Sequence, residues 1–197
     1  MDTIPTPPAQ GWEKVKILNI ADVQSGGTPS RKVAEYWNGN INWIQSEVCQ
    51  NCYVYENQVK EKITELGLKK SSAKILKKDS VLIALVGATI GKIAYLTFES
   101  TTNQNIAALY PLDNALLNNK YLYFASLGLY PKFKELRGFA MANLTFIRNL
   151  QIPLPPLKEQ EQIVKIIDSI EERKQSLQNM LPDIESKMQD ILQKYLF

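Results

Sequence analysis

The chain has 197 residues, 45% of them apolar, enough for one or two packed domains. It contains no histidine and only two cysteines, which removes the usual general base, every Ser-His-Asp or Cys-His arrangement, and any four-ligand zinc site of the common kind. The net charge of +3 is uneven: residues 1–157 carry 17 basic against 12 acidic side chains, net +5, whereas residues 158–197 carry 6 against 8, net −2. A basic front suits an anionic partner and a mildly acidic tail suits protein.

In chain order, the opening MDTIPTPPAQ is polar and proline-rich, with no charged-then-apolar leader pattern. GWEKVKILNIADVQSGG reads as a helix or edge-strand segment carrying Val15, Leu18 and Ile20. It closes on Gly26-Gly27-Thr28-Pro29, where glycine frees the backbone and proline fixes it. EYWNGNINWIQ places Trp37 and Trp43 around an Asn38-Gly39 turn, which predicts a hairpin. Cys49 and Cys52 form a lone C-x-x-C in strand-and-loop surroundings, read here as incidental. Asn57–Lys78 is polar and lysine-rich.

SVLIALV and KIAYLTF are two buried strands joined by a glycine loop, and IAALYPL is a third. The loop, GATIGK, has three residues between its glycines instead of four, and Ile93 stands where a phosphate loop needs Ser or Thr. The longest apolar run, Val81–Gly91, is about half the length of a membrane span, so a soluble, cytoplasmic protein with no membrane association is expected. Asn118–Arg137 is broadly helical, capped by Asn118 or Asn119 and broken near Pro131, and NLQIPL is a last strand. Strands and helices mix without regular alternation, which predicts an α+β fold.

The tail follows a different rule. Stepping four and three from Ile163 gives Ile167, Ile170, Lys174, Leu177, Leu181, Ile184, Met188, Ile191 and Tyr195. Only Lys174 breaks this apolar seam, which predicts a coiled-coil helix of some forty residues that needs a partner helix. Pro182 falls inside it, and a kink is expected there. Pro153, Pro155 and Pro156 deny the preceding residues helical geometry, so the rod starts at a defined place. The expected organisation is a globular domain over residues 1–155 and a helix over residues 156–197. PDIESK, Pro182–Lys187, has the residue types of a nuclease metal site crowded into one helical stretch, and is read as a helix start.

Four segments, in order, carry a resemblance: SGGTPSRKVAEYWNGNINWI, VLIALVGATIGKIAYL, TTNQNIAALYP, and GFAMANLTFIRNLQIPLPPLKEQEQIVKII. They resemble the DNA-specificity (S) subunits of type I restriction–modification systems, over roughly Trp12 to Phe197. The P-x-P-P-L-x-E-Q run before an apolar helix is the most specific part. The resemblance implies a target-recognition domain that reads half of a bipartite site in double-stranded DNA. It also implies assembly with methyltransferase subunits, which use S-adenosylmethionine, and with restriction subunits. Family members carry two such domains and two antiparallel helices, whereas this chain has one of each. It is therefore read as a half-length form: a half subunit, a truncated gene product or an isolated piece. Two copies would pair through the Ile163–Tyr195 seam and read a palindromic bipartite site.

On this reading the chain binds DNA and neither catalyses nor holds a cofactor or metal. Lys69, Lys70, Lys74, Lys92 and Arg31 are the candidate phosphate ligands. Gln45, Ser46, Asn51, Ser71, Ser72, Thr89, Arg137 and Asn143 are turn or loop positions with donors suited to base edges. Gly26, Gly27, Gly87 and Gly91 are expected to shape loops. Two alternatives remain at this stage, a stand-alone DNA-binding regulator and an inactive specificity-gene fragment. An enzyme is disfavoured, because no Asn/Asp-Pro-Pro-aromatic methyltransferase motif and no glycine-rich cofactor loop occur in the sequence.

Overall fold

A computed structural model describes residues 5–9, 11–135 and 142–196. It is an α+β fold whose sheets and short helices form a globular body, from which one long helix projects. The body begins with β1 (Lys14–Lys16), β2 (Ala21–Ser25), β3 (Trp37–Ile44), β4 (Cys52–Val54) and β5 (Glu61–Ile63), then α1 (Glu65–Lys69). Next come β6 (Val81–Ala84), β7 (Ile93–Leu96), β8 (Thr101–Thr102) and β9 (Ile106–Pro111). α2 (Asn119–Leu127), α3 (Tyr130–Lys134), α4 (Leu144–Asn149), β10 (Gln151–Pro153) and α5 (Leu157–Leu196) complete the chain.

The central sheet has the order β2-β9-β6-β7-β4, antiparallel except that β4 runs parallel to β7. Its middle strands β6 and β7 are wholly buried, as continuous apolar runs covered on both faces require. One face packs on α2, α3 and α4 around Val81, Ile83, Leu109, Leu122 and Ile147, and the other on Leu76, Leu82, Leu96 and Ile106. A three-stranded sheet, β5-β3-β8, flanks the second face.

The hairpin expected at Asn38-Gly39 does not form. Trp37–Ile44 is one strand, and its register against β5 shifts between Trp37 and Ile41. Asn38 takes a φ of 61°, and a Cβ on Gly39 would lie 2.5 Å from the carbonyl oxygen of Ile63. The Asn-Gly pair thus makes a bulge pressed against a neighbouring strand, a geometry with the same residue preferences as a tight turn.

The helix breaks fall where proline and asparagine put them. Asn118 caps α2 by accepting from the Tyr121 N–H at 3.0 Å, and Pro131 sits in the first turn of α3. α5 spans 40 residues, about 60 Å at 1.5 Å per residue, and Pro182 does not interrupt it.

Its first turns are locked to the body. Gln160 is fully buried; its Oε1 accepts from the Asn118 N–H at 2.9 Å, and its Nε2 donates to the carbonyls of Leu116 and Pro155 at 2.9 and 2.8 Å. The Trp12 indole donates to Glu159 at 3.0 Å, and Lys120 pairs with Asp168 at 2.7 Å. Val164 and Ile163 join the main core. The Pro153–Gln160 run is therefore a joint: prolines set the direction and Gln160 clamps it.

Candidate nucleic-acid interface

Strand register collects the loops. Ser25 pairs with Ala107, Ala84 with Ile106, Ile83 with Ile93, and Cys52 with Ala94. The segments after β2, after β6, before β4 and before β9 therefore leave from one end of the central sheet. Ile44 pairs in parallel with Thr102, and the Asn103 N–H donates to the Ile44 carbonyl, which brings the end of β3 to the same place. Pro111, Val81, Leu96 and Asp79 lie at the opposite end, where α5 is anchored through Asn118 and Asn119.

The Gly26-Gly27 pair is dictated by close backbone approach. A Cβ on Gly26 would stand 2.0 Å from the Thr102 carbonyl oxygen, and one on Gly27 would meet Ser72 and Ala73 at 2.2 to 2.6 Å. The segment after β2, the Thr102–Asn105 turn and the end of α1 are thereby pressed together. The Trp43 indole donates to the Gly27 carbonyl at 3.0 Å, and the Thr28 hydroxyl meets Gln104 at 2.7 Å.

Arg31 lies over this region. Its guanidinium stacks 3.7 Å from the Trp37 ring centroid and 4.9 Å from that of Trp43, while both terminal nitrogens pair with the Glu61 carboxylate. Gln45 Nε2 donates to the same Glu61 Oε2 at 3.0 Å. The hydrogen bond from Arg31 lowers the Glu61 pKa, and in return Glu61 raises that of Arg31.

Lys69 and Lys70, at the exposed end of α1, stand beside Ser71 and Ser72 and hence beside Gly27. Ser71 accepts from the Ala73 N–H, so its hydroxyl shapes the turn. Lys74 is exposed on the run that returns from Ala73, near Gly27, to Leu76, which bonds Ser100; it is set back from the loop end.

On the other flank Gly87 and Gly91 take φ of 71° and 75°, and a Cβ on Gly91 would overlap Phe133. Lys92 Nζ donates to Gln50 Oε1 at 2.7 Å. Asn51 is clasped to β7, exchanging bonds with the Ile93 backbone, and Asn143 caps α4 beside Leu85. Their side-chain oxygens hold backbone. Ser46, Ser72 and Thr89 lie in the loops with some exposure, and Arg137 lies outside the described residues.

Sequence reasoning brought most candidates to one end of the body but missed Glu61, Gln50 and Gln104. An acidic residue in the lysine-rich stretch carries no sequence signal until the strand pairing of β5 with β3 places it beside Arg31. Cys49 is buried, and burial raises its thiol pKa; Cys52 donates toward the Val48 carbonyl, so both cysteines belong to packing. Among the described residues no group of acidic or cysteine side chains could hold a metal ion, and no helix is long and apolar enough to cross a membrane.

Along α5, Ile163 packs against the core and Ile167 is part-buried, whereas every seam apolar residue from Ile170 onward is more than half exposed, reaching 71% at Tyr195.

A globular body with one loop-rich polar end, carried on a long helix that leaves from the other, is the class of architecture found in specificity subunits. The family described as the type I restriction modification DNA specificity domain matches residues 9–186, and this chain belongs to it. It is 31% identical, over 83% of its length, to the type I restriction enzyme MjaIX specificity subunit of Methanocaldococcus jannaschii. It is 29% identical, over 80% of its length, to the EcoR124I/EcoR124II specificity subunit of Escherichia coli. The matches cover 39% and 40% of those proteins, so the chain spans well under half of each. Among solved structures, a chain from a study of complex assembly in the type I R-M system superposes with a TM-score of 0.71 at 22% identity, covering 96% of this chain and 45% of that one. The HsdS subunit of Thermoanaerobacter tengcongensis gives 0.64 at 21% identity, covering 89% and 40%. At these identities the superpositions concern the fold.

Proposed function

We propose that this chain is the DNA-recognition part of a type I restriction–modification specificity subunit, with a recognition domain over residues 1–155 and a pairing helix over residues 156–197. The observation that carries the reading is the separation of ends: lysines, serines and amides gather on the loops at one end, and an exposed apolar seam leaves from the other. Lys69, Lys70 and Lys92 contact phosphates, and loop side chains read base edges in double-stranded DNA. The chain binds no cofactor; S-adenosylmethionine belongs to the methyltransferase subunits it directs, and restriction subunits join them. It works in the cytoplasm.

Two copies pair through the seam. Such a pair would restore roughly the length of the relatives that one chain matches by only 39–40%, and its two-fold would be mirrored in a palindromic bipartite site. The test is a genome-wide map of methylated adenines in cells with this gene and its methyltransferase, against cells lacking only this gene. A palindromic split motif that vanishes with the gene is expected. Unchanged methylation would leave an inactive fragment or a stand-alone regulator.

A further inference from the structure

The Arg31–Glu61–Gln45 cluster poses a physical problem at the end of the body assigned to DNA. A carboxylate there repels phosphate, yet Glu61 is kept ionised by the guanidinium that pairs with it. Arg31 is not a free cation either: its charge is matched, its plane is stacked on Trp37, and its side chain is half exposed. A guanidinium whose charge is already matched by a carboxylate gains less from neutralising a phosphate than an unpaired one would. Holding one edge of a guanidinium still, with the other edge presented outward, suits planar recognition instead.

We propose that Glu61 is a positioning residue that fixes two adjacent base readers, Arg31 for guanine and Gln45 for adenine. Glu61 occupies the end of the Arg31 fork through Nη1 and Nη2, which leaves the side edge, Nε–H with one Nη–H, for two acceptors in line. Guanine presents such a pair, O6 and N7, in the major groove. The bond from Gln45 to Glu61 settles which way the amide points. Its Oε1 and its second Nε2 hydrogen are left over, the complement of adenine N6 and N7. Arg31 Nη2 and Gln45 Nε2 each lie 3.0 Å from the same Glu61 oxygen, so the two donors are at most about 6 Å apart, within reach of neighbouring base pairs stacked about 3.4 Å apart. A concavity of about 390 Å³ opens beside Gln45 and Glu61, between Trp43 and Gln50, and leaves room for a groove edge.

The inference rests on the DNA-recognition reading and moves Arg31 from phosphate contact to base contact. It is tested by selecting bound duplexes from a randomised library with the full chain, sequencing them, and repeating the selection with variants. Arg31→Lys, which keeps the charge and loses the fork, should cut discrimination about tenfold or more at one guanine position. Gln45→Ala should do so at the adjacent adenine. Glu61→Gln should blur both positions together while the rest of the motif stays as it is. Glu61→Asp keeps the charge but withdraws it by one carbon; it should blur the same two positions, which a purely electrostatic role would leave sharp. A motif unchanged in both Glu61 variants overturns the proposal. So does Arg31→Ala, if it weakens all duplexes evenly and flattens the salt slope while the motif stays unchanged, which marks a phosphate ligand. A wild-type chain that selects no motif overturns the DNA-recognition reading itself.

Discussion

Lys69 and Lys70 differ from Arg31 and Lys92 in what already engages them. Arg31 is forked to Glu61 and Lys92 donates to Gln50, while Lys69 and Lys70 are exposed at the end of a five-residue helix against the Gly27 loop. An exposed lysine on a rigid edge meets phosphate without first breaking an internal bond. Replacing either by alanine should weaken binding on all duplexes alike and reduce the slope of log K against log salt by about one. Titration of binding at several salt concentrations checks this, and an unchanged slope removes that lysine from the phosphate contacts. The stability of the fold should hardly move, since both side chains lie on the surface.

At the scale of elements, α2 is bound to the sheet by tyrosines, and this gives the body an alkaline weakness. Tyr53, Tyr95 and Tyr123 pack ring to ring at 5.4–5.6 Å, Tyr95 donates to Asp79, and Tyr121 donates to the Pro153 carbonyl at 2.9 Å. Burial pushes the Tyr53 and Tyr121 phenols up from 10.0 to about 12, with Asp168 adding to the shift of Tyr53. Above pH 10 the unfolded chain releases these protons while the folded chain keeps them. Their contribution is therefore complete below pH 10 and lost as pH rises through about 12. Denaturant midpoints should hold up to about pH 10 and fall beyond it, and Tyr121→Phe should remove part of the fall. Gln160 governs the other joint. Gln160→Ala leaves the Asn118 N–H and the Leu116 and Pro155 carbonyls without their partner, a cost of about 1–3 kcal/mol, readable by denaturant melting.

Sequence patterns revealed these elements unevenly. The buried strands β6, β7 and β9, the Asn118 cap and the long helix are local patterns of period or capping, and they appear where the residues put them. The Asn38-Gly39 pair does not reveal a bulge by sequence, because its left-handed residue serves a turn and a bulge equally, and only the pairing of β3 with β5 decides between them. Asn51 and Asn143 are loop positions with donors suited to base edges, yet both spend their side-chain oxygens on nearby backbone, an outcome set by three-dimensional neighbours. The Arg31–Glu61 fork spans thirty residues and has no period at all.

For the whole molecule, the decisive quantity is the apolar face of α5. Ile170, Leu177, Leu181, Ile184, Met188 and Ile191 are each 52–59% exposed, and Tyr195 is 71% exposed, on a helix anchored to the body through its first turns. A forty-residue helix has little intrinsic stability from propensity, so a seam of this length calls for a second helix. The seam repeats every seven residues along one face, so a second copy can lay the same face against it. Leu177→Asp with Ile184→Asp puts two charges into the middle of that face, opposite the same apolar face of the partner copy. On the proposed pairing, light scattering at micromolar concentration should report a dimer for the wild-type chain and a monomer for the variant. The body should keep its own melting transition, because neither residue touches its core. On the same proposal, adenine methylation at a split motif should be lost even though each copy still carries intact loops. A wild-type chain that is monomeric at that concentration would instead assign the seam to a partner helix from another chain.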